Sequence, residues 1–124
     1  MRLGIRNMQR WRSLLFSCCL ATNSAFAASL DARDNVRAAT IEAAAANAHF
    51  GTKFCGLSSA KASEYKAKVR ARVAEPDSFE SHWSQGWTRE EETISGYEKL
   101  RTENPILFAS DVRGACAELA SLPQ

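Results

Sequence analysis

The first 27 residues, MRLGIRNMQRWRSLLFSCCLATNSAFA, limit the fold more than any other feature, because they read as a leader removed after export. An arginine-bearing head, an apolar stretch from Leu14 to Ala21 and the small-x-small ending Ala25-Phe26-Ala27 follow in the order of a secretory signal. Cleavage is expected after Ala27. The apolar stretch covers only 8 residues, whereas a bilayer-crossing helix needs about 20, so no stable membrane insertion is expected once the signal is cut. The rival is lipid attachment at Cys18 or Cys19, because Leu15-Phe16-Ser17-Cys18 is similar to a lipoprotein cleavage box; the short apolar run and the bulk of Phe16 weigh against it.

Of 124 residues, 97 then remain to fold. A chain of that length buries roughly 60 to 65% of the surface it exposes when unfolded, enough for one core. A single domain over residues 28–124 is expected, and multidomain enzymes are excluded. Removing the signal also removes Arg2, Arg6, Arg10 and Arg12, which leaves 12 basic against 14 acidic residues. The mature chain lacks the basic excess of a nucleic-acid-binding domain, and no nucleic-acid partner is expected.

The cysteine count changes with the same cut. Cys18 and Cys19 leave, and the two that stay, Cys55 and Cys116, lie 61 positions apart in an oxidising compartment, the periplasm or the exterior. That spacing matches no zinc or redox motif, so a disulfide is the expected state. Closing so long a loop is worth about 4 kcal/mol in the chain-entropy treatment.

Four helices are expected, and no strands. The first opens at Ser29 or Asp31 and runs toward Gly51 or Gly56, with Val36, Thr40, Ala43, Asn47, Phe50 and Phe54 on one face and Ile41, Ala45 and Ala48 on another. The second starts at Ser58 or Ser59 and carries Ala62, Tyr65, Val69 and Val73 until Glu75-Pro76-Asp77 stops it. The third opens at Asp77, three residues before Glu80, and repeats Phe79, Trp83 and Trp87 before Ile94, Tyr97 and Leu100. It is read as one helix, with a kink or split near Gly86 as the alternative. Asn104-Pro105 starts the fourth, which turns Phe108, Val112, Cys116 and Leu119 inward. Four one-faced helices joined by short breaks predict an all-α, four-helix bundle.

Catalytic and cofactor constellations are sparse. The CxxCH haem sequence is missing, Met1 and Met8 leave with the signal, and only His49 and His82 remain as nitrogen ligands, so no cofactor is expected. Glu80-Ser81-His82 has the wrong spacing for a carboxylate metal bundle, and no zinc spacing occurs, so no metal is expected either. No GxSxG elbow, HExxH or glycine-rich phosphate loop occurs. The consecutive Glu90, Glu91 and Glu92 point around a helix and read as a solvated face. The chain is therefore expected not to be an enzyme. No residue motif assigns it to a family.

Charge and aromatic placement supply the candidate binding residues. From Lys53 to Ala74 there are 6 basic residues and 1 acid; from Glu75 to Glu103 there are 8 acids and 3 bases. Two antiparallel helices pairing their charges would explain this, with Glu64 and Lys68 adding a pair one turn apart. The alternative is a face that steers a charged partner, a role assigned to Lys66, Lys68, Arg70 and Arg72. Trp83 and Trp87, with His82 beside them, belong either to the core or, if exposed, to a binding anchor. The leading expectation is an interaction, inhibitor-like or accessory module with an envelope protein as partner. The second is a small-ligand carrier whose pocket between helices one and three is lined by Phe50, Phe54, Trp83 and Tyr97. No sequence feature sets an oligomeric state.

Overall fold

The computed structural model describes residues 21–74 and 77–122, with side chains from residue 31 onward. Residues 1–20 of the expected leader, with Met1, Met8, Cys18 and Cys19, lie outside the described residues, as do Glu75 and Pro76. Four helices are present: α1 (Ala21–Phe54), α2 (Ser59–Arg72), α3 (Phe79–Glu103) and α4 (Pro105–Ser121). There is no strand among the described residues, and none of their helices is long and apolar enough to cross a membrane. The chain divides into two units, residues 1–36 and 37–124. In the first, residues 31–36 are exposed, Val36 at 66%. The second holds the core and is an all-α bundle.

The helix ends follow local chemistry. Neither glycine nor proline interrupts the chain between Ala21 and Gly51, so α1 passes through Ser29 and Asp31 instead of starting there. It also passes Gly51 and stops at Phe54. Gly56 takes φ 69, the left-handed region open to glycine, and the Leu57 N–H turns back to donate to the Gly51 carbonyl at 3.1 Å. The Ser58 hydroxyl accepts from the Lys61 N–H and caps α2. The Asn104 side chain accepts from the Leu107 N–H ahead of α4, with Pro105 in the first turn. At α3 the expected Asp77 cap is displaced: Ser78 occupies the cap position without a side-chain bond, and its carbonyl accepts from the His82 N–H.

α3 is one uninterrupted helix, and Gly86 has another use. A Cβ built on Gly86 lands on the Glu42 carbonyl oxygen and 2.6 Å from its Cα, so the backbones of α1 and α3 meet where only hydrogen fits. At this crossing one of the two expected apolar faces of α1 is turned inward. Ile41, Ala44, Ala45 and Ala48 face inward at spacings of three and four, while Val36, Thr40 and Ala43 are exposed. The alanines let α3 approach, and Ile41, Val69, Val73, Phe79 and Trp83 fill the space around them.

Contacts set the directions of the helices. Lys66 lies over Trp83 and Arg70 over Phe79, so α2 and α3 are antiparallel. Phe50, Phe54, Tyr97 and Phe108 form a second cluster, centroids 5.0 to 6.4 Å apart, that joins α1, α3 and α4. The Cys55–Cys116 disulfide ties the end of α1 to the middle of α4, Cα atoms 5.5 Å apart.

Candidate functional site

The basic residues of α2 separate into two groups by their place on the helix. Lys66 and Arg70, four apart, turn toward α3 and reach opposite oxygens of Glu80, at 2.7 and 3.0 Å. Their cationic groups also lie 5.3 Å from the Trp83 ring centroid and 4.8 Å from that of Phe79. The hydrogen bond from Lys66 holds the Glu80 carboxyl below its ordinary range. Lys68 and Arg72 point outward. Lys68 bonds Glu64 at 2.9 Å one turn away, and that bond, with Lys61 nearby, lowers the Glu64 carboxyl too.

The aromatic candidates on α3 divide similarly. Trp83 is 7% exposed and belongs to the core, so no surface anchor on this helix includes it. Trp87 is half-buried under the His49 ring, centroids 4.1 Å apart and planes within 7°. The Nδ1–H of His49 donates to the Trp87 carbonyl oxygen at 2.8 Å; since a carbonyl only accepts, that nitrogen carries the proton. His49 is thus a buried, bonded residue. His82 sits elsewhere, its Nδ1 3.2 Å from Glu42 Oε1, while Arg89 bonds Glu42 Oε2 at 2.7 Å. Glu42 was not a candidate from sequence, yet its largely buried carboxylate bridges two side chains of α3 beside the Gly86 crossing.

The acidic run is also uneven. Glu91 and Glu92 are exposed, but Glu90 is half-buried on the side facing α4. Burial raises its carboxyl above the ordinary value, against the opposing effects of His49 and a hydrogen bond with Thr93. No group of three or more metal-ligating side chains gathers among the described residues.

Two concavities open around the end of α4. The larger, about 340 Å³, lies beside the disulfide between the end of α1, α2 and Leu119 of α4. The smaller, about 280 Å³, is lined by Phe50, Glu90, Tyr97 and Glu118, among others. Asn47, Leu119 and Leu122 border both. Phe50 and Tyr97 of the expected carrier pocket line the smaller one; Phe54 packs against aromatic neighbours and Trp83 is in the core. No sequence pattern marks the larger cavity, because its residues come from three helices and a loop. No protein-family model, curated protein or solved structure matches this chain.

Proposed function

We propose that the protein is a small exported, non-catalytic helical module that binds an acidic surface of an envelope protein through the outward side of α2. The observation that carries this reading is the composition of that side. Its exposed charges are Lys61, Lys68 and Arg72 against Glu64 alone, with Ala60, Ala67 and Ala71 between them. Small side chains let a partner approach the backbone, and the excess positive charge steers an acidic surface toward it. Lys66 and Arg70, candidates from sequence alone, are occupied with Glu80 and serve the fold. The leader pattern ending at Ala27 and a disulfide between the only cysteines beyond it support an oxidising destination, periplasmic or secreted.

The test is native mass spectrometry of the protein purified from the envelope of its host, alongside the triple variant Lys61→Glu, Lys68→Glu and Arg72→Glu. The wild type is expected to carry one stoichiometric protein partner, and the triple variant to lose it while keeping its helical circular dichroism. A bare wild-type monomer, or undiminished partner occupancy in the folded variant, overturns the reading.

A further inference from the structure

We infer that the cavity beside the Cys55–Cys116 disulfide binds a medium-chain carboxylate, an unbranched alkyl tail with one anionic head. Its volume of about 340 Å³ falls at the small end of ligand sites, roughly 300 to 1,000 Å³. The floor is apolar and buried, formed by Ala48 and Gly51 of α1. Half-buried Leu57, Tyr65 and Leu119 and the disulfide form the walls, with half-buried Asn47 the one amide among them and Glu64 at the exposed edge. An alkyl tail satisfies such walls, since it brings no polar group that would lose water without gaining a partner.

The head is fixed by charge at the mouth. Lys61 and Lys68 are exposed there with Glu64, two ammonium groups against one carboxylate. Lys68 bonds Glu64 at 2.9 Å and Lys61 lies near the same carboxylate, so the mouth keeps one positive charge in excess, and Lys61, which makes no direct bond to Glu64, is the group that offers it to a ligand carboxylate. The smaller cavity sets the direction of binding. It shares Leu119 and Leu122 with the larger one, but the charged groups lining it are Glu90 and Glu118, which repel an anionic head. The carboxylate therefore sits at Lys61 and the tail runs along Leu119. The site shares Lys61 and Lys68 with the outward face of α2, yet it does not rest on the protein-partner reading, because Arg72 is no part of the cavity.

The test titrates the oxidised protein with decanoate and, in parallel, with decanol, following leucine methyl signals by NMR and heats by calorimetry. Decanoate, below its aggregation concentration, is expected to saturate and shift Leu57, Leu119 and Leu122. Decanol is expected to bind about tenfold more weakly, because it lacks the charge that Lys61 receives. Lys61→Gln should weaken decanoate about fivefold and leave decanol unchanged. Ala120→Trp, a substitution at an exposed residue of the mouth, should abolish both without changing the α2 face. Absence of saturable shifts, equal affinity for acid and alcohol, or decanoate binding that survives in folded Ala120→Trp overturns the proposal. Should Ala120→Trp fail to fold, the exposed Lys61→Gln variant decides alone: unchanged decanoate affinity counts against the site.

Discussion

The two ends of the bundle are held together by different means. Where α1, α2 and α3 meet, eight residues from Ile41 to Trp83 form a buried cluster, and the α1 and α3 backbones touch at Gly86. α4 contains no buried residue, although it is the most apolar of the four helices, and Ile106 and Leu107 at its start are 84% and 45% exposed. It is fastened by a covalent bond and by the half-buried faces of Phe108 and Leu119. One end is held by fully buried packing, the other by a half-buried aromatic cluster that includes Phe108 together with a bond that restricts the unfolded chain. A domain this small has too little core to bury every helix fully, and at α4 the disulfide adds to half-buried contacts.

Cutting the covalent tie should have the largest effect. Cys116→Ser is expected to cost about 4 kcal/mol by denaturant melting. Amide exchange should accelerate first in α4, with the α1–α3 crossing last to open. Uniform acceleration along the chain would mean that α4 is as well packed as the rest. The corresponding disruption of the packed end is Gly86→Ala, which forces the α1 and α3 backbones apart and is expected to cost about 3 kcal/mol. A melting midpoint unchanged by that substitution would show that the helices do not cross there. Glu42→Ala, which leaves Arg89 and His82 without their shared carboxylate, should cost about 1 to 2 kcal/mol by the same measurement.

The smallest effects separate the two ends by pH. Glu80 at the packed end has a carboxyl held below its ordinary value of 4.5, so the native state binds fewer protons there than the unfolded chain. Its contribution is present above pH 4.5 and is lost as pH falls through the lowered value. Glu90, facing α4, has a raised carboxyl, so the native state binds more protons and stability declines as pH rises from 4.5 through the raised value. Glu80→Gln should therefore flatten the loss of stability in acid, whereas Glu90→Gln should raise the melting temperature at neutral pH by under about 3 °C. Equal responses of the two variants to pH would remove the distinction.

Much of the fold is legible in neighbouring residues because helix ends are local events. Ser58 and Asn104 cap α2 and α4 through side chains that reach an N–H three residues on, and Pro105 suits the first turn. The stripe Ala62, Tyr65, Val69 and Val73 does turn inward, as its spacing implies. The Cys55–Cys116 pairing is the one expected from counting cysteines beyond residue 27. The start of α1 was less legible, since Ser29 and Asp31 resemble caps but no glycine or proline between Ala21 and them breaks the helix.

The candidate site was legible only in its residue types. Spacing placed Lys66, Lys68, Arg70 and Arg72 in one basic run, but their division depends on where Glu80 of α3 arrives. The same holds for Trp83 and Trp87, four residues apart, one in the core and the other under His49.

The sequence by itself determined four helices, most of their ends and the disulfide, because each is fixed by a few adjacent residues or by counting. Only the tertiary structure decided that Gly86 is a crossing point, that α1 turns Ile41 inward and Val36 outward, and that Lys61 borders a cavity with Leu119. The physical reason is that helical periodicity is intrinsic to a segment, whereas the rotation of a helix and the space beside it are set by the surfaces packed against it.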